Sequence, residues 1–172
     1  MARALITGAA KRLGRAMTLY LAGRGYDVAI HYHGSAEAAE ATAADARALG
    51  VRAVTLAADL LDEAQTATLI ARATDALGGP LDVLVNNASI FEYDTIRTAT
   101  RISWDRHFES NLRAPFVLTQ DFAAQVPPAD RTGPEPRARG LVVNMIDQRA
   151  HKLTPEFMSY TLAKMALWAL TR

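Results

Sequence analysis

The sequence predicts an α/β domain built on a doubly wound parallel sheet with strand order 3-2-1-4-5. Two observations carry this. Short apolar runs alternate with stretches of helical spacing along the chain, the pattern of a sheet covered by helices. The runs are also too apolar to leave one face in water, as strands buried on both sides must be. Right-handed crossovers then fix the order.

The elements follow in turn. Arg3 to Thr7 is the first run and ends at Gly8. Leu13, Met17 and Leu21 share one face of a helix from Leu13 to Ala22, which Gly23 and Gly25 stop. Tyr26 to Ile30 reads as the second strand. Ser35 is placed to cap an Ala/Glu-rich helix that runs to Leu49 and closes at Gly50. Val51 to Leu56 is the third strand, and Asp62 opens a helix to Leu77. Leu81 to Val85 is the fourth strand, ending at Asn86-Asn87. One long helix is expected from Trp104 to Ala124, kinked at Pro115. Pro127 to Arg139 holds four prolines and a glycine and reads as a surface loop. Gly140 to Met145 is the fifth strand, and Phe157 to Arg172 a last helix. That helix ends without Gly or Pro and reads as cut off.

Composition narrows the function classes. Half of the 172 residues are hydrophobic and 22% are charged, which suits one domain spanning residues 1–172. Nineteen Lys and Arg against 18 Asp and Glu leave a formal net charge of +1, no footprint for nucleic acid or an anionic membrane. The absence of cysteine excludes a disulfide framework, thiolate catalysis and Cys-ligated metals. Four histidines, scattered except for His31 and His33, offer no metal site. No apolar run is long enough to span a bilayer. With Met1 leading almost directly into the first run, the expectation is a soluble, cytoplasmic protein.

Thr7-Gly8-Ala9-Ala10-Lys11-Arg12-Leu13-Gly14 lies between the first strand and the first helix. Small residues there let the backbone approach a pyrophosphate, and the helix start offers free N–H groups and a positive dipole end. A two-glycine turn alone is weak evidence, since many such turns need glycine only for positive φ. An acidic residue closing the second strand would accept from the ribose hydroxyls of NAD. His31-Tyr32-His33-Gly34-Ser35 stands there instead, facing Lys11 and Arg12. Two cations and several donors suit a 2′-phosphate, hence NADPH; the plain alternative is that both cations are solvated loop residues.

With Ala58-Asp59-Leu60, Asn86-Asn87-Ala88-Ser89, Asn111 and Tyr160-Thr161-Leu162-Ala163-Lys164 added in order, the chain resembles the short-chain dehydrogenase/reductases over its whole length. The nearer resemblance is to the pteridine reductases and dihydromonapterin reductases. Arg12 replaces the central glycine of the phosphate turn, Ser89 follows Asn86-Asn87-Ala88, and Asp147 stands where most of the family has a catalytic serine. Gly34 occupies a position where an Arg is frequent in that subfamily.

The resemblance implies roles. Tyr160 would be the proton donor, with Lys164 one turn along favouring its phenolate and binding the nicotinamide ribose. Asn111 would hold a water in the proton relay, and Asp147 would carry or relay a proton or bond the amide edges of a pterin. Asp147 capping the next turn is the structural alternative. The NADP(H) set would be Gly8, Lys11, Arg12, Leu13, Gly14, His31, Tyr32, His33, Ser35, Asp59, Leu60, Asn87, Ala88, Ser89, Tyr160 and Lys164. The substrate set would be Arg12, Ser89, Phe91, Asp147 and Tyr160, with Phe91 either stacking on a flat ring or packing a lid.

The reaction so implied is hydride transfer from NADPH to a C=N carbon of a dihydropterin-like substrate. A carbonyl or 3-oxoacyl thioester reductase shares every feature except Asp147 and Phe91. A catalytically silent NADP-binding protein would be expected to lack Tyr160, Lys164 or Asn111. Family members continue with two more strands and a substrate loop, so the chain is expected to be a fragment of a longer reductase. By the same resemblance it would form a homotetramer through its long helices.

Overall fold

The computed structural model describes residues 2–172. Five parallel strands, Arg3–Ile6 (β1), Asp27–Tyr32 (β2), Ala53–Ala57 (β3), Val83–Asn86 (β4) and Leu141–Asn144 (β5), form one sheet in the order β3-β2-β1-β4-β5. The helices are Arg12–Ala22 (α1), Ala36–Ala48 (α2), Glu63–Leu77 (α3), Arg101–Phe108 (α4), Ala114–Gln125 (α5) and Met158–Thr171 (α6). The expected order is the observed one.

Alternation along each strand builds two cores. Ala4, Ile6, Val28, Ile30, Val83 and Val85 point to one face, where they meet Ala22 of α1 and Ala39, Ala43 and Ala46 of α2. Leu5, Ala29 and Leu84 point to the other, against Leu69, Ala73 and Leu77 of α3 and Leu118 and Phe122 of α5. The alanine stripe explains how α2, with few large apolar residues, still packs closely on the sheet. β5 lies at the sheet edge, with Leu141 largely exposed.

Some local expectations are corrected. Asp62 caps α3 as predicted, its carboxylate accepting from the N–H groups of Ala64 and Gln65 at 2.9 and 3.3 Å, and Gly78 closes that helix at φ +73°. Ser35 occupies the cap position of α2 but its hydroxyl makes no capping bond. Gly23 ends α1 in ordinary right-handed geometry, and the left-handed residue is Gly25. The third strand begins at Ala53 rather than Val51.

The expected helix from Trp104 to Ala124 is two helices joined by a π turn, Glu109–Arg113. It starts earlier too, at a capping box of Thr100 and Ser103. Pro115 accounts for the break: it has no N–H to give the Asn111 carbonyl, and its ring crowds the preceding turn. Ala114 instead donates to Glu109, five residues back.

Candidate active site

The C-terminal ends of β1, β4 and β5 meet on one edge of the sheet, where open α/β sheets place ligands. Thr7, just past β1, ties them together. Its hydroxyl accepts from the Asn87 and Ala88 N–H groups, both at 2.9 Å, and Asn87 Nδ2 donates back to the carbonyls of Thr7 and Gly8 at 2.8 and 3.1 Å. Asn86 Nδ2 donates to Asn144 Oδ1 at 2.8 Å, joining β4 to β5.

A cleft of about 590 Å³ runs along this edge. Of the predicted residues, Gly8, Lys11, Arg12, Leu13, Gly14, His31, His33, Asp59, Leu60, Asn87, Ala88 and Ser89 line it. Ser35 lies outside it, sharing a smaller hollow of about 390 Å³ with Lys11 and Gly34. Tyr32 packs against the α1–α2 core. Arg106 and Ser110 also line the cleft and escaped the sequence reading. Their spacing of four, ending one residue before Asn111, was the available signal.

The turn that opens the cleft admits no side chain at Gly14. A Cβ there would lie 2.3 Å from the Gly8 carbonyl oxygen and 2.8 Å from both Ala9 Cα and Asn87 Nδ2. Arg12, at φ +51°, holds a left-handed conformation that glycine takes without strain. His31 lies 2% exposed behind the turn. Its Nδ1 accepts from the Gly8 N–H at 3.1 Å, which leaves Nε2 to donate to the Ala58 carbonyl at 3.1 Å. Both ring nitrogens are thus bonded within the protein, and His31 shapes the turn from the wall of the cleft.

Burial lowers the His31 pKa to about 4 from an ordinary 6.5. The folded state therefore binds fewer protons than the unfolded one between those values. Stability should be unaffected by His31 above pH 6.5 and fall by up to about 3 kcal/mol as the pH drops through that window. Denaturant titrations at several pH values check this, since His31→Gln should flatten that slope. An unchanged slope in the variant would remove His31 as its cause.

Beyond Ser89 the second part of the site begins. Tyr160 and Lys164 project from one face of α6, 5% and 3% exposed. The Tyr160 hydroxyl donates to Asp147 Oδ2 at 3.0 Å. The other oxygen, Asp147 Oδ1, accepts the Arg149 N–H at 2.9 Å and opens a 3₁₀ turn, Gln148–Ala150. Asp147 therefore caps the following turn and faces Tyr160 at once. Lys164 Nζ donates to the Met145 carbonyl at 2.9 Å and stands 5.8 Å from the Tyr160 ring centre.

The expected lowering of the Tyr160 pKa is not what this arrangement produces. Burial, then the hydrogen bond to the Asp147 carboxylate, raises it well above the ordinary phenol value, with only weak opposition from Ser89 and Arg149. Burial lowers Lys164 to about 8, partly offset by the Asp147 charge. Tyr160 keeps its proton at neutral pH.

Asn111, fully buried in the π turn, spends its side chain on Ile90. Its Nδ2 donates to the Ile90 carbonyl at 2.8 Å and its Oδ1 accepts the Ile90 N–H at 2.9 Å. The side-chain amide is thus a clamp on the segment after β4, while Pro115 leaves the Asn111 carbonyl without its helical N–H donor. Phe91, next in that segment, lies edge-on to Tyr160 with ring centres 4.7 Å apart. One of its faces stacks on Phe157 at 4.1 Å and 6°. The Arg149 guanidinium lies 4.6 Å from the Phe157 ring centre. Phe157 and Arg149 are the other residues that sequence reasoning missed; they lie between Asp147 and Tyr160 in a stretch without periodicity.

The chain is similar to several known proteins. A 3-oxoacyl-[acyl-carrier-protein] reductase of Staphylococcus aureus is 36% identical over 72% of this chain and 50% of its own length. Pteridine reductase 1 of Leishmania tarentolae is 33% identical over 98% of this chain and 68% of its own length. The crystal structure of FolM alternative dihydrofolate reductase 1 from Brucella suis, in complex with NADP, is 40% identical and superposes with a TM-score of 0.88, covering 99% of this chain and 67% of that one. The chain thus spans about half to two thirds of the length of these relatives. The family model described as short chain dehydrogenase matches residues 2–172, and with the strand order, the glycine turn and the Tyr160–Lys164 pair in place, the chain belongs to that family.

Proposed function

We propose that this chain is the cofactor-binding and catalytic part of an NADPH-dependent reductase that reduces a C=N bond in a flat, dihydropterin-like heterocycle. The observation that carries the reading is the 3.0 Å bond from the Tyr160 hydroxyl to Asp147 at the end of β5. A serine there would hydrogen-bond a ketone oxygen. A carboxylate can take a proton from Tyr160 and relay it to a ring nitrogen, or accept from the amine and amide N–H edges of a pterin.

The cleft fits a dinucleotide. Gly14 lets the turn fold back against Gly8 and Asn87, where a Cβ would clash, and the first turn of α1 carries no acidic residue to repel a phosphate. Lys11, Arg12, His33 and Ser35 would hold a 2′-phosphate. Asp59 and Leu60 would hold the adenine end, and Asn87, Ala88 and Ser89 the riboses. NADPH, when bound, supplies the hydride. Tyr160 supplies the proton from its hydroxyl, directly or through Asp147 Oδ2, and Lys164 places a positive charge behind the phenol. Phe91, half exposed and covered on one face by Phe157, presents a ring for the substrate to stack on. The similarity to FolM and to pteridine reductase 1 supports this reading, and the similarity to a 3-oxoacyl-[acyl-carrier-protein] reductase keeps the carbonyl reductase as its alternative. An apolar groove of about 710 Å³ on α4, the π turn and α5, with Phe108, Leu112 and Phe116 in its wall, is the surface we assign to a homotetramer.

The test is NADPH oxidation with a 7,8-dihydropterin beside a 3-oxoacyl thioester. Turnover of the pterin is expected, and turnover of the thioester alone would overturn the pterin reading. In the same assay Asp147→Ser should lose pterin turnover by about 100-fold, the low end of a general acid–base contribution.

A further inference from the structure

Behind Tyr160, outside the cleft and the reacting groups, lies a buried polar cluster drawn from three elements. His107 of α4 is fully buried, Asp94 is 1% exposed and Ser159 is fully buried. His107 Nε2 accepts the Glu92 N–H at 3.0 Å, so it carries no proton, and the neutral ring must carry its proton on Nδ1. That Nδ1–H faces Ser159 Oγ at 2.7 Å. The Ser159 hydroxyl in turn donates to Asp94 Oδ2, which also accepts from Ser103 Oγ at 3.2 Å. Each link has one allowed direction.

Two members of this chain stand beside the two rings of the site. Glu92 follows Phe91, and Ser159 precedes Tyr160. Asp94 also supplies the cap that α6 lacks. Phe157 sits at the cap position in left-handed geometry without a side-chain cap. Asp94 Oδ1 takes the Ser159 N–H at 3.1 Å instead, and the Asp94 carbonyl takes the Met158 N–H at 3.3 Å. Glu92 is anchored from the outside by a two-pronged bond from Arg106. An apolar residue at 107 would fill the space equally well. It would not set the register between the segment after β4 and the start of α6.

We propose that His107 and Asp94 are positioning residues: through Ser159 and Glu92 they fix the Tyr160 ring, and with it the hydroxyl, relative to the Phe91 ring. The inference rests on the reading of Tyr160 as proton donor and Phe91 as the stacking ring. The test combines amide hydrogen exchange with steady-state turnover on the purified protein. In His107→Phe the Glu92 and Ser159 amides should exchange about tenfold faster, the scale of one net hydrogen bond, while amides of β1 to β4 stay as they were. The same variant should lose on the order of 100-fold in kcat, as a small misplacement of reacting groups does, with the KM for NADPH unchanged. His107→Gln, whose side-chain oxygen reaches the Nε2 position, should restore protection at Glu92. Ser159→Ala cuts the chain at its middle link and gives the same readouts should His107→Phe fail to fold. Unchanged exchange at Glu92 and Ser159 in the folded variants, or a kcat equal to that of the wild type, overturns the proposal. A wild-type protein that turns over neither substrate overturns the reductase reading instead, and the exchange data still decide whether this cluster holds the two segments.

Discussion

Replacing Tyr160 with Phe should leave the fold and NADPH binding intact and lower kcat by about 10²- to 10⁴-fold, the range of a lost general acid. The substitution removes one oxygen and keeps the ring, so the edge-on contact with Phe91 survives. What disappears is the donor to Asp147. The Asp147 carboxylate is part-exposed and keeps its bond to the Arg149 N–H, so relief of the buried phenol's demands should roughly offset the lost bond in stability. Fluorescence titration with NADPH and steady-state turnover check both halves. A variant that retained most of its turnover would move the proton source to Asp147 or to solvent.

The second large effect is expected at Gly14. An alanine there would press its Cβ into the Gly8 carbonyl, Ala9 Cα and the Asn87 amide at 2.3 to 2.8 Å. Two of these three atoms are backbone, and the third is held by its bonds to Thr7 and Gly8. None can yield by a rotamer change, so the turn or α1 must shift. Overpacking of this kind costs about 3 kcal/mol, the upper end of its usual range, or roughly 10 °C in Tm for a chain of this size. NADPH should also lose most of its stabilising effect, since the ligand's binding surface is the part displaced. Thermal melts with and without NADPH measure both. Gly14→Ala with an unchanged Tm and an unchanged ligand shift would show that the turn is softer than its contacts imply.

The sheet order, the glycine turn and the tyrosine–lysine pair were legible because each is written in neighbouring residues: apolar runs, a Gly at a strand end, a spacing of four. What neighbouring residues did not reveal is decided by residues distant in the chain. His31 follows a strand near two cations. Which way its ring turns is decided by Gly8 and Ala58, distant in the chain. Asn111 is marked by a motif, but the clamp its amide makes on Ile90, 21 residues away, is not. The Tyr160 pKa was argued from the charge one turn away. The larger influences are burial and a carboxylate arriving from β5. The stack of Phe157 on Phe91 joins two loops without periodicity, so no local pattern announced it.

The π turn at Glu109–Arg113 has a consequence for how this chain can vary. One residue of α-helix is about 100° of rotation, so one extra residue lets the two halves of a helix keep independent angular phases. Downstream, Leu118 and Phe122 are dialled towards the sheet. Upstream, the only buried side chain is His107, turned towards Tyr160, while Ile102 faces solvent. The stretch works as a coupling between two dials. Substitutions on the core side can accumulate without turning the histidine, whereas a single-residue deletion within it would bring both halves into one phase and swing His107 off Ser159 with no change to any residue of the site.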